Sequence, residues 1–232
     1  MKWSNKIANT IEWSGEISNR EQKEKAAEFI AKRVKDGDVI GVGSGSTAFL
    51  AVVAIAKRMK DEGLSITAIP TSNEVSLTCS ILGIPTTTLL QKKPDWAFDG
   101  ADEVDQNNSL IKGRGGAMFA EKLVISSSPE SYILVDESKL VSYLGEKFPV
   151  PVEVDPRAIN LVETKLGDFK ATEIKLRPAK GKDGPVITEA GNVILDVRFE
   201  KIGYDFEKEI KAIPGVIETG LFTGYDLKIV KG

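Results

Sequence analysis

From Arg20 onward the apolar residues Ala26, Ala27, Ile30 and Val34 recur at helical spacing. Glu21, Lys23, Glu24, Lys25, Lys32, Arg33 and Lys35 mostly fall elsewhere on the wheel. The pattern predicts an amphipathic helix that Asp36-Gly37-Asp38 stops. Val39-Ile40-Gly41-Val42 then reads as a short strand, glycines follow, and a second helical stretch runs from Thr47 to Lys60. The same alternation predicts strands at Ser65 to Ile69, Thr86 to Leu90, Trp96 to Phe98 and Tyr132 to Val135, with helices at Asn73 to Leu82 and Ala117 to Ile125. Strands alternating with helices imply a parallel sheet covered on both faces.

The texture changes at Phe148-Pro149-Val150-Pro151-Val152-Glu153-Val154. Beyond it lie short strands at Ala171 to Leu176 and Val193 to Val197, separated by the Gly/Pro/Lys-rich turn Arg177 to Pro185. This predicts a large α/β domain over residues 1–147 and 216–232 and a smaller α+β domain over 148–215, with the chain end returning to the large sheet. Residues 1–18 carry Trp3, Ile7 and Ile11 at four-residue spacing but no continuous apolar run or small-residue cleavage site, so they read as an extension and not a secretory signal.

Composition narrows the chemistry. With 41% hydrophobic and 28% charged residues, the 232-residue chain has enough apolar material for a packed core. A net charge of -3 argues against a basic face for nucleic acid or an anionic membrane. The longest apolar run, Ala48 to Ala56, is about half the length a membrane helix needs. Cys79 is the one cysteine, which excludes an intramolecular disulfide and fits a reducing cytoplasm. The sequence contains no histidine, so Ser-His-Asp and Cys-His catalysis, histidine-bound zinc and an imidazole base are all excluded. Carboxylates, lysines or tyrosines must do any acid/base work.

Three segments can carry that work. Gly41-Val42-Gly43-Ser44-Gly45-Ser46-Thr47 joins a strand to a helix, where free backbone N–H groups and the helix dipole attract an anion. Ser46 replaces the third glycine of a dinucleotide fingerprint and no Gly-Lys-Ser/Thr triplet is present, so a monophosphate ester suits the loop best, although a tight turn alone would also explain the glycines. Asp99-Gly100-Ala101-Asp102-Glu103 follows a strand, where α/β sheets bind ligands. A solvated acidic turn and a magnesium or calcium site that adds Asp105 are the other readings of that segment. Lys112-Gly113-Arg114-Gly115-Gly116 allows close backbone approach and offers an ammonium to an oxyanion. Glu121 follows in the next helix, where it could equally be an ordinary surface carboxylate.

Taken with Asp136-Glu137-Ser138-Lys139, the Phe148 to Val154 segment and Ile213-Pro214-Gly215-Val216, these motifs resemble ribose-5-phosphate isomerase A, in order and over nearly the whole chain. The resemblance implies a Rossmann-like open parallel sheet with helices on both faces and a smaller ferredoxin-like α+β domain. It implies interconversion of ribose 5-phosphate and ribulose 5-phosphate through an enediolate, with no metal or organic cofactor. Glu121 matches the base that moves a proton between C2 and C1, and Lys112 the group that stabilises the enediolate. Asp99 and Asp102 match residues that contact the sugar hydroxyls, Asp99 being the candidate for ring-oxygen proton transfer.

In the same resemblance Gly100, Ala101, Gly113, Arg114 and Gly115 line the substrate, while Ser44, Gly45, Ser46 and Thr47 hold the phosphate with Lys139 and Lys23. A small sugar phosphate is then the ligand, and a homodimer or homotetramer the assembly. Ala120 and Thr188-Glu189-Ala190-Gly191-Asn192 depart from common family forms. Amino-sugar-phosphate deaminases and phosphogluconolactonases resemble the same fold but rely on histidines. A sugar-phosphate-sensing transcription regulator would need a DNA-binding module that the segment before the first helix cannot hold.

Overall fold

The computed structural model describes Trp13, residues 15–181 and residues 183–232. The helical spacing of Trp3, Ile7 and Ile11 lies outside the described residues. The chain begins with helix α1 (Arg20–Arg33), strand β1 (Val39–Val42), α2 (Ser46–Glu62), β2 (Thr67–Pro70), α3 (Asn73–Ile81) and β3 (Trp96–Gly100). It continues through β4 (Glu103–Val104), β5 (Leu110–Ile111), α4 (Met118–Ser127), β6 (Ser131–Val135), β7 (Val150–Val154) and α5 (Ile159–Asp168). The remainder is β8 (Ala171–Leu176), β9 (Val193–Phe199), α6 (Phe206–Lys211), β10 (Val216–Thr219), β11 (Leu221–Phe222) and β12 (Leu227–Lys231). Among the described residues no helix is long and apolar enough to cross a membrane.

Two compact units divide these elements. The first takes in the described chain up to Gly100, Leu123–Ser138 and Asp226–Gly232. Its sheet has five parallel strands in the order β12-β6-β3-β1-β2. Ile40, Val42, Trp96, Phe98, Tyr132 and Leu134 share one core cluster with Ala26, Ala27 and Ile30 of α1, Ala51 and Ile55 of α2, and Val75 and Cys79 of α3. The alternate residue Ala97 clusters instead with Val124 of α4 and Ile69, so helices cover both faces. Gly41 admits α4: a Cβ there would lie 2.3 Å from Val124 Cγ1.

The predicted strand Thr86 to Leu90 reduces to one bridge, Ala68 with Thr86. Its threonines have strand propensity, but Leu90 is 97% exposed and has no core to enter. The return of the chain end to the large sheet is made by β12, which pairs with β6 at the sheet edge.

The second unit, Ala101–Lys122 with Lys139–Tyr225, takes in more of the chain than the expected 148–215. Its main sheet has the order β10-β7-β9-β8 with antiparallel neighbours, and α5 and α6 complete a β-α-β-β-α-β, ferredoxin-like succession. Val150, Val152 and Val154 of β7 pack with Val162 and Leu166 of α5, Val193 to Val197 of β9 and Ile210 of α6. The added segments belong here for a pairing reason: β10 is a strand of this sheet, and β11 pairs with β5, which pairs with β4.

Candidate active site

In the first unit β1 lies between β2 and β3, so the chain leaves β1 in one direction and returns on its other side. Loops at such a reversal diverge and leave room for a ligand beyond the strand ends. Gly43, Ser44 and Gly45 occupy that place after β1, with Gly45 at φ 93 as the residue before α2 and no side chain capping the helix. The N–H groups of the first turn, at Ser46 and Thr47, therefore face outward with the positive end of the dipole.

Lys23 stands beside them. It is 4% exposed, and its ammonium donates to Ser46 Oγ and Ser18 Oγ at 3.2 Å each. Asp136 Oδ2 is 3.7 Å from the same nitrogen. Burial by itself would raise the Asp136 carboxyl, but the Ser138 hydroxyl, the Asn19 amide, the Ser138 N–H and Lys23 outweigh it and hold the group below the ordinary aspartate value. Lys23 thus belongs to the buried face of α1, at i−3 and i−4 from Ala26 and Ala27, and not among the residues elsewhere on the wheel.

Asp99, the last residue but one of β3, is 2% exposed, and its Oδ1 accepts the N–H of Ser44 at 3.2 Å and of Gly100 at 2.7 Å. The loop and the carboxylate are built against each other, since a Cβ on Gly43 would fall 2.1 Å from Asp99 Cγ. A shallow recess beside the loop is lined by Gly43, Gly45, Phe49, Val52, Glu74 and Val75 among others. Ser44 and Ser46 are half-buried and Thr47 is buried.

The second unit holds the other group. Lys112 leaves β5 with its N–H on Gly220 O at 2.8 Å, and Glu121 lies in the first turn of α4. Lys112 Nζ is 3.2 Å from Glu121 Oε2, and both side chains are buried. Gly113 at φ 100 and Gly116 at φ 83 turn the backbone sharply between strand and helix. Gly113 lies under Met118, whose Cε would be 2.9 Å from an added Cβ.

Asp102 Oδ2 accepts the Arg114 N–H at 3.1 Å. Burial pushes the Asp102 carboxyl above its ordinary value, Glu121 adds to the rise, and Lys112, the Arg114 N–H and Lys139 oppose it. A carboxyl inclined to keep its proton therefore stands in the field of a buried lysine–carboxylate pair, an arrangement suited to proton transfer. Lys139 is half-buried, with its ammonium 5.6 Å from the Phe148 ring and within electrostatic reach of Asp102. Ala101 is half-buried, while Arg114 and Gly115 are exposed.

The neighbouring carboxylates have other work. Glu103 is fully buried and accepts the N–H groups of Gly145, Lys147 and Phe148 at 2.6 Å each. Asp105 accepts those of Asn107 and Ser109. Among the described residues no three His, Cys, Asp or Glu side chains form a group able to hold a metal ion. In the departing segment, Thr188 and Asn192 bond Glu153 Oε1 at 2.7 and 2.9 Å, whereas Glu189 and Ala190 are exposed turn positions. The departures thus leave both partners of Glu153 in place.

Two supporting groups have partners that the sequence did not show, although Lys122 stood beside Glu121 in the motif. Lys122 donates to Glu207, Glu218, Thr219 O and Leu221 O, which fixes the part of α4 that carries Glu121. Arg177 pairs with Asp196 and donates to the carbonyls of Gly113 and Arg114. Each joins residues far apart in sequence, so local spacing carries no trace of them.

The family model described as Ribose 5-phosphate isomerase A (phosphoriboisomerase A) matches residues 67–232. Ribose-5-phosphate isomerase A of Methanocaldococcus jannaschii is 46% identical over 217 residues, covering 92% of this chain and 95% of the relative. A solved structure of the enzyme from that organism superposes with a TM-score of 0.88, covering 91% of this chain and 95% of that one. A second structure, of a D-ribose-5-phosphate isomerase in complex with phospho-erythronic acid, is 40% identical with a TM-score of 0.87, covering 92% and 96%. Similarity of that extent, covering more than nine-tenths of the chain, places it in the ribose-5-phosphate isomerase A family.

Proposed function

We propose that the chain interconverts D-ribose 5-phosphate and D-ribulose 5-phosphate, with Glu121 as the base and the buried Lys112–Glu121 pair as the observation that carries the assignment. In the open-chain aldose, Glu121 removes the C2 proton. The C2–H electrons form the C1–C2 double bond and charge moves onto O1. Lys112 stabilises the enediolate while the O2 proton passes to O1, and Glu121 then returns its proton to C1 as the O2 electrons form the ketone. A positioned base supplies about 10²- to 10⁴-fold, and preorganised charge and orientation supply the rest.

Asp99 exchanges the proton of the ring oxygen when the furanose opens, and Asp102 holds sugar hydroxyls. Gly100, Ala101, Gly113, Arg114 and Gly115 approach the sugar through their backbone. Ser44, Gly45, Ser46, Thr47, Lys23 and Lys139 answer the phosphate charge, a role that the buried ammonium beside the first turn of α2 supports. Phosphorylated acids such as the one bound to the relative carry two anionic groups, which suits a phosphate end and an oxyanion end.

The reaction uses no metal or organic cofactor in this reading, and the absence of histidine supports lysine–carboxylate chemistry. The family resemblance supports a homodimer or homotetramer working in the cytoplasm within the non-oxidative pentose phosphate pathway. The test is a coupled isomerase assay with and without EDTA on the wild type and Glu121→Gln. Turnover that survives chelation and collapses in the variant is expected; an active variant overturns the assignment of the base.

A further inference from the structure

We propose that Arg177, held by Asp196, is a positioning residue that sets the peptide groups of Gly113 and Arg114 so that their N–H sides face Asp102 and the substrate. The inference rests on the reading above, in which Asp102 contacts the sugar. Arg177 follows β8, two residues past Lys175, the cross-strand partner of Asp196 in β9, so the two side chains are diagonal neighbours on one face of the antiparallel sheet. Arg177 Nε donates to Asp196 Oδ2 at 2.9 Å and Nη2 pairs with Oδ1, a two-point grip that leaves Nη1 with a fixed direction. The pair is largely buried, at 13% and 20% side-chain exposure.

That Nη1 donates to Gly113 O at 2.8 Å and to Arg114 O at 2.9 Å. In a trans peptide the C=O and the N–H point in opposite directions. Drawing the Gly113 carbonyl toward Arg177 therefore sends the Arg114 N–H the other way, where it meets Asp102 Oδ2 at 3.1 Å. The Arg114 carbonyl fixes the Gly115 N–H in the same manner, and two successive N–H groups turned to one side form an anion-facing concavity. The guanidinium charge also polarises both peptides and strengthens these donors. Gly113, at φ 100, has the backbone freedom that the arrangement demands.

The consequence is energetic coupling between Arg177 and Asp102, two side chains joined through a backbone. Arg177→Met should lower kcat/KM for ribose 5-phosphate between about 10- and 150-fold, the range expected when a hydrogen bond to a charged group is lost. The carboxyl of Asp102 loses part of a donor that holds it down, so the acid limb of the kcat/KM profile that belongs to it should move to higher pH.

The deciding experiment is a double-mutant cycle of Arg177→Met with Asp102→Asn, with Asp196→Asn in place of Arg177→Met if the latter fails to fold. Once Asp102 is neutral, the second substitution should cost at least about fivefold less than it does in the wild type. Additive losses would overturn the positioning role, because a merely structural arginine would cost the same in both backgrounds. If Asp102→Asn alone leaves kcat and KM unchanged, the sugar-contact reading fails and this inference fails with it. Arg177→Lys keeps the charge and loses the fork, and should recover only part of the activity.

Discussion

Lys112 Nζ lies 3.2 Å from Glu121 Oε2, with the two side chains 3% and 4% exposed. A buried pair of this kind punishes the loss of one partner, because the other charge is left in a low-dielectric setting, at a cost of about 3–5 kcal/mol. Lys112→Met should therefore lose both activity and thermal stability, while the double substitution Lys112→Met with Glu121→Gln recovers much of the stability and none of the turnover. Thermal unfolding beside the isomerase assay checks this. A double variant no more stable than Lys112→Met would show that the two groups do not depend on each other.

Gly43 and Asp99 are a second such pair, made of backbone against carboxylate. Gly43→Ala puts a methyl 2.1 Å from Asp99 Cγ, and Asp99 is held by the N–H groups of Ser44 and Gly100. Overpacking of this kind typically costs about 1–3 kcal/mol, and here it also displaces the carboxyl proposed to exchange the ring-oxygen proton. Gly45→Ala meets open space and suffers only from its φ of 93, so it should retain more activity than Gly43→Ala at comparable stability. Equal kcat in the two variants would refute the account.

The strand–loop–helix periodicity exposed β1, α2, β3, α4 and β6, and with them the places of the anion loop, Asp99 and Glu121, because all of these depend on local spacing. Lys23 was named for the phosphate by the family resemblance alone; the helical wheel set it apart from the apolar stripe, and the fold shows it buried beside Ser46. Roles settled by distant pairing left no local mark. β4, β5 and β11 are two residues each, too short for alternation to register, and they moved the boundary of the second unit. Glu103 looked like a member of an acidic cluster until its three N–H donors came from residues more than forty positions away.

At the proposed phosphate end, Lys23→Met should raise KM for ribose 5-phosphate and weaken inhibition by inorganic phosphate far more than it lowers kcat, since in that reading it removes charge the whole ester sees. Asp136 steadies that lysine, and its carboxyl is held below the ordinary value in the folded chain. A lowered folded value means that the stabilisation is complete above the unfolded carboxyl value of about 3.9 and disappears as pH falls through the folded one. Urea midpoints of wild type and Asp136→Asn should differ by a constant amount from neutral pH down to about pH 5 and converge below about pH 4. A gap that widens on acidification would contradict the sign.

Asp102 reverses that sign. Its carboxyl is raised, chiefly by burial, so the folded state binds a proton more tightly than the unfolded chain does and stability falls as pH climbs through the interval between the two values. Asp102→Asn removes the penalty and should leave the protein more stable than wild type at neutral pH, an advantage that shrinks as the solution is acidified. The neighbours fix a further pattern. Glu121 adds to the rise and Lys112 opposes it, so Glu121→Gln should lower the Asp102 titration midpoint and Lys112→Met should raise it, as read from the carboxyl carbon by NMR. Shifts in those opposite directions require that Asp102 sense both members of the buried pair. A midpoint indifferent to either substitution would leave Asp102 outside the electrostatic unit that Lys112 and Glu121 form.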